Sequence, residues 1–185
     1  YTHINKNTIL LTSFTTLITL SGLFLDNTVM LIGAMLLSPL LGPINAFAVN
    51  ASLGRVRQTI RSQMVIISLA LVVVTISTIL PWVASNFVPL KITSLILSSG
   101  RTRIIDIGIA VILGLAGGLA LYIAIPESLI GVAVAVALVP PAAVTGIGIA
   151  FQDINLFLGA LILTLANILG LQLGGTILLS LHGIA

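Results

Sequence analysis

The polar chemistry of this chain gathers at two proline interruptions, Ser38-Pro39-Leu40-Leu41-Gly42-Pro43 and Val139-Pro140-Pro141. A proline inside a helix lacks an N–H and crowds the carbonyl four residues back, so it leaves main-chain acceptors unfilled. Here the freed carbonyls are those of Met35, Pro39, Val136 and Ala137. In hydrocarbon such groups cost several kcal/mol unless they face protein or a wet cavity. Side chains able to complete a binding site beside them are Ser38, Pro39, Gly42, Pro43 and Asn45 at the first interruption. Pro140, Pro141 and Thr145 serve the second, and Asn167 and Gln172, five residues apart, belong to the last apolar stretch. Carbonyls, half-helix N–H groups and amides together suit a small polar or anionic solute. The plain alternative is that the prolines only kink their helices and the amides only bridge helices.

No comparable set exists for catalysis. There is no Cys, so thiolate chemistry, disulfides and iron–sulfur ligation are absent. His3 and His182 stand at opposite ends, and no Ser–His–Asp order, H-x-x-x-H spacing or phosphate-binding glycine loop is present. The sequence therefore predicts no enzyme, no metal and no cofactor. Seven Lys and Arg against four acids give a net charge of +3, too few for a phosphate-tracking surface, so nucleic acid is not an expected partner.

What must position these residues is a set of membrane helices. Apolar residues make up 58% of the 185 and charged residues only 6%, where a soluble domain carries about 25% charged. The eleven charges leave six uncharged windows, 7–25, 27–54, 62–90, 107–126, 128–152 and 154–185, of 19 to 32 residues. About 20 residues cross the hydrocarbon layer, and a charge at mid-helix costs about 2.5–3.5 kcal/mol. Every charge falls at a window boundary, which predicts six crossings. Asp26, Asp106, Glu127 and Asp153 stand at helix starts and are expected to act as caps. Between Trp82 and Arg103, Pro81 and Pro89 are expected to stop a helix, and Ile92–Ser99 to form a packed or interfacial segment with a turn of helix.

At an offset of 101 residues Asp26 falls on Glu127 and Pro39 on Pro140. This predicts an internal repeat of 7–90 and 107–185 linked by 91–106. Each half holds three crossings, so the second enters the membrane inverted. The expected fold is thus an all-α integral membrane protein, residues 1–185 forming a single membrane domain. It has six transmembrane helices as two inverted three-helix repeats, with proline-broken second and fifth helices. Lys6, Arg55, Arg57 and Arg61 share one side against Lys91, Arg101 and Arg103 on the other, which favours cytoplasmic termini. Gly114, Gly117 and Gly118, with Gly170 and Gly174, mark close helix packing.

The stretches DNTVMLIGAMLLSPLLG (Asp26–Gly42), PESLIGVAVAVALVPPAAVTGIG (Pro126–Gly148) and LANILGLQLGG (Leu165–Gly175) resemble family 389 of the domains of unknown function. The resemblance covers nearly the whole chain and rests on the GAMLLSPLLGP and ALVPP motifs. It implies a hydrophobic prokaryotic membrane protein without naming a substrate. Members often carry a soluble region ahead of the membrane part, which fits a chain that begins at Tyr1. The functional expectation is a cell-membrane transporter or channel-like protein whose partners are the lipid bilayer, a small solute and a second copy of itself. The competing expectation is a non-transporting anchor, scaffold or sensor module.

Overall fold

The computed structural model describes residues 5–125 and 127–182; the side chains of 127–130, 132 and 133 are left aside. Among the described residues the chain is all-helical: α1 (Lys6–Phe24), α2 (Thr28–Leu36), α3 (Leu41–Ser52), α4 (Val56–Ala84), α5 (Ser94–Ser99), α6 (Ile104–Tyr122), α7 (Glu127–Ala150) and α8 (Ile154–Leu181). Helices α1, α4, α6 and α8 are each long and apolar enough to cross a membrane. Helices α2 and α3 meet at 56° and are together long and apolar enough for either a broken fifth span or a re-entrant loop. These are the helices of a multi-pass membrane protein.

In the threonine-rich α1 part of the hydroxyls back-bond within the helix, while the buried Thr15 and Thr19 Oγ1 have no partner among the described residues. Thr12 donates to the Thr8 carbonyl at 2.8 Å and Thr16 to that of Thr12 at 2.7 Å. Four helices end in the same turn, in which a residue with positive φ lets the next N–H reach back five residues. Asp26 (φ 52°), Gly54 (67°), Ala124 (56°) and Gln152 (56°) occupy that position. Asn27, Arg55, Ile125 and Asp153 donate to Gly22, Asn50, Ala120 and Gly148 at 2.8–2.9 Å.

The acids cap as expected, with one change of partner. Asp153 accepts from Asn155 and Leu156 at 3.0 Å, and Asp106 from the Arg103 N–H at 2.9 Å. Asp26 does not cap α2, which Asn27 serves through the Met30 N–H. With φ 52° it points across to α5, accepting from Ser94 Oγ and the Leu95 N–H. The cap expected of Glu127 lies outside the described side chains, and His3 outside the described residues.

Packing centres on α7, which touches every other helix and buries Ala143, Val144 and Ile147 completely. The two glycine runs meet: a methyl at Gly114 or Gly174 would overlap the carbonyl oxygens of Leu171 and Val111, so α6 and α8 lie backbone to backbone. Gly146 brings α7 within 2.5 Å of Val74 O on α4 by the same measure. The linker is packed rather than free. Ile96 is fully buried, Thr93 Oγ1 donates to Leu23 O at 2.6 Å and Thr102 Oγ1 to Gly159 O at 2.8 Å.

Two proline expectations need correction. Pro81 does not stop α4, which runs on to Ala84; in the last turn a proline forfeits one bond, and Ser85 still donates to Pro81 O at 2.9 Å. More consequentially, the fifth window is not broken. Helix α7 passes through Pro140 and Pro141 without interruption. The second window is broken at residues 38–40, where α3 restarts with Pro43 in its first turn, a place where a missing N–H forfeits nothing.

Candidate functional site

A cavity of about 330 Å³ lies on one flank of Pro140 and Pro141. Its walls are Leu31 and Met35 of α2, Ser98 and Ser99 of α5, Arg103, and Asp106, Ile109, Ala110 and Leu113 of α6. Val136, Ala137, Pro140 and Pro141 of α7 and Leu163 and Asn167 of α8 complete it. The volume falls within the roughly 300–1,000 Å³ of small-molecule sites.

Asn167 explains both the helix and the cavity. Its Nδ2 donates to the Ala137 carbonyl at 2.6 Å, the very acceptor that Pro141 strands. An amide on α8 thus replaces the missing main-chain donor, and α7 stays continuous. Asn167 is only 5% exposed, and its Oδ1 has no hydrogen-bond donor among the described residues. Pro140 strands the carbonyl of Val136, which lines the same space. On the same wall, Arg103 and Asp106 form an ion pair at 3.4 Å, their side chains 74% and 17% exposed. The pair is held further by the Arg103 N–H on Asp106 Oδ2.

The predicted site residues divide. Pro140, Pro141 and Asn167 come together at the cavity. Ser38, Pro39, Gly42, Pro43, Asn45, Thr145 and Gln172 do not line it. Ser38 Oγ sits at the α2–α3 break, buried and without a partner among the described residues. Gly42 and Pro43 are buried in the first turn of α3, and Asn45 is half-buried one turn on. Thr145 Oγ1 closes on Pro141 O at 2.9 Å. Gln172 Nε2 donates to Gln63 Oε1, joining α8 to α4. The space directly between the interruptions, bounded by Leu40, Leu138, Ala142 and Ile168, is apolar and holds only about 10 Å³. That is room for one water at most.

Arg103, Asp106, Ser98, Ser99 and Gln63 are functional candidates that the sequence reading passed over. The signal was present for the ion pair, since charges three apart share a helix face. Position at a window edge had made them look like solvated caps. Among the described residues no three His, Cys, Asp or Glu side chains cluster to hold a metal.

Comparison with known proteins agrees with this picture at family level. The model of the domain of unknown function DUF389 matches residues 35–173. An uncharacterised protein of Methanocaldococcus jannaschii is 28% identical over 184 residues, covering 99% of this chain and 56% of the relative. The chain thus spans little more than half the length of the curated relative it matches. No solved structure matches it. The matched span runs from the first proline interruption through Gln172 and takes in the whole α7–α8 wall of the cavity, and on it the chain belongs to the DUF389 family.

Proposed function

We propose that this chain is a membrane transport or channel-like protein for a small polar or anionic solute, and that the solute occupies the cavity beside Pro140 and Pro141. The observation that carries the reading is the cavity itself: apolar walls that also carry a stranded carbonyl, a buried amide and a partly exposed charge pair.

The architecture we propose is six crossings in two inverted halves. Lys6 and Ile104, which begin α1 and α6, are 98 residues apart, as are their ends, Phe24 and Tyr122. Val56 and Ile154, which begin α4 and α8, are again 98 apart, and so are the turn residues Asp26 and Ala124, and Gly54 and Gln152. The spacing of the helices is thus 98, not 101, and it pairs Gly33 with Gly131, Leu40 with Leu138 and Pro43 with Pro141. Three crossings per half make the halves antiparallel. Cross-half packing of α4 on α7 and of α3 on α8 supports this, since these pairs exchange under the repeat. On this reading α7, at 24 residues about 36 Å long, is the sixth span. We place the termini, with Arg55, Arg57 and Arg61, on the cytoplasmic side of a prokaryotic cell membrane.

Reconstitution tests the proposal. Proteoliposomes holding the purified chain should recover faster than empty liposomes from hyperosmotic shock in at least one of glycerol, acetate or alanine. Equal recovery in all three defeats it. A non-transporting scaffold is the second reading, favoured by the nearly filled apolar space between Leu40 and Leu138.

A further inference from the structure

Resting on that reading, the geometry points to a narrower substrate class: a small zwitterion of the amino-acid type with an apolar or weakly polar side chain, rather than a simple anion. Arg103 is the one cationic group on the cavity wall, and Asp106 stands against it at 3.4 Å, so the pair carries no net charge. A lone anion would meet the Asp106 carboxylate as soon as it reached Arg103. Besides the Ser98 and Ser99 hydroxyls, the wall carries two acceptors without a donor, Oδ1 of the buried Asn167 and the carbonyl that Pro140 strands on the 46% exposed Val136. Both acceptors repel anions and attract N–H or O–H donors.

An amino-acid head carries its two charges side by side, as the wall does. Its carboxylate takes the N–H groups of Arg103 that Asp106 leaves free, and its ammonium takes Asp106. Both bonds within the Arg103–Asp106 side-chain pair measure 3.4 Å, long for a charge-assisted contact, so a tighter-fitting guest can displace them. Leu31, Met35, Leu113 and Leu163 then receive an aliphatic side chain. Asn167, 95% buried with an open acceptor, lines the same space. A roomy cavity with a neutral charge pair and unfilled acceptors on its wall matches no single-charged solute as well.

The test uses the natural absence of cysteine. Ser99→Cys introduces a near-isosteric thiol on the wall, labelled by a water-soluble maleimide in the purified full chain. Four probes are compared for protection: L-leucine; 4-methylpentanoate, which lacks the ammonium; 3-methylbutylamine, which lacks the carboxylate; and acetate. Leucine should protect, and each one-charge analogue should require at least about tenfold more. Arg103→Gln in the same background should remove the protection by leucine. Calorimetric titration of the unsubstituted chain with the same four compounds gives the same ranking without any substitution. Protection by 4-methylpentanoate equal to that by leucine overturns the zwitterion class, while a positive osmotic assay leaves transport standing. Absence of leucine binding by both methods also overturns it, and the transport reading then stands or falls on the osmotic assay alone.

Discussion

Asn167 Nδ2 sits 2.6 Å from the carbonyl of Ala137, thirty residues earlier, and donates to it the hydrogen bond that Pro141 cannot. At the 98-residue spacing of the helices the position matching Asn167 is Leu69, fully buried and without any donor. Helix α7, served by the amide, runs continuously through its prolines, while α2 and α3, near the leucine, meet at a 56° break. Asn167→Leu should therefore bend α7 near Pro140 and lower stability by about 1 kcal/mol, in the upper range for membrane hydrogen bonds. Spin-label distances across α7, with a melting curve in detergent, check both effects. An unchanged distance in a less stable variant would separate packing from straightening.

The α6–α8 seam should tolerate no side chain. Gly114→Val or Gly174→Val pushes a side chain into the carbonyls of Leu171 or Val111 and should cost roughly 1–3 kcal/mol or more. Gly108 on α6 has open space around it, so Gly108→Ala should be neutral or stabilising by up to about 1 kcal/mol. Thermal melting of the three variants side by side reads the contrast.

The shared turn gives a prediction of opposite sign. Gln152 holds φ 56° with a full side chain, whereas Gly54 holds 67° in the same kind of turn at the end of α3. Gln152→Gly should raise stability by about 0.5–1 kcal/mol, because only glycine enters that region without steric cost. Gly54→Ala should lower it by a similar amount, as melting temperatures will report.

Asp26 is an exception to that logic, since its carboxylate holds the first turn of α5. Asp26→Ala should loosen α5 even as the backbone strain persists, seen as faster proteolysis between Phe87 and Arg103. Asp26→Asn, which keeps one acceptor, should fall between. No change in cleavage would assign α5's position to Ile96 alone.

Topology is testable with single cysteines in the cysteine-free chain. Thiols at Arg57 and Asp153 should label from opposite faces of the membrane, and one at Arg101 from the same face as Asp153. Labelling of all three from one side would remove the inverted arrangement.

Much of this architecture was legible because cost in lipid is written in composition. The six uncharged windows map onto α1, α2–α3, α4, α6, α7 and α8 in order, most ends within about four residues, although α4 lies six residues earlier than its window and takes in Arg57 and Arg61. What escaped was the different fate of the two proline sites. Nothing local separates Pro39 and Pro43 from Pro140 and Pro141; the deciding group is Asn167, and its reach to Ala137 exists only after α7 and α8 pack. The 98-residue spacing proposed for the repeat differs from the 101-residue offset of the acids for a related reason. Matching an acid to an acid put weight on a cap, and Asp26 turned out to cap α5. Of the site, the sequence named Pro140, Pro141 and Asn167, and hid Arg103 and Asp106 by giving them an ordinary role at a helix start.

The stitching of α5 has a mechanical corollary. Thr93 and the Asp26 carboxylate bind it to α1 and its turn, and Thr102 fastens the following strand of linker to α8. First and second halves are thereby riveted at one rim of the molecule. If the proposed halves swing to let a solute through, that rim is the pivot, and the part-buried Gln63–Gln172 bond between α4 and α8 is the contact that has to release.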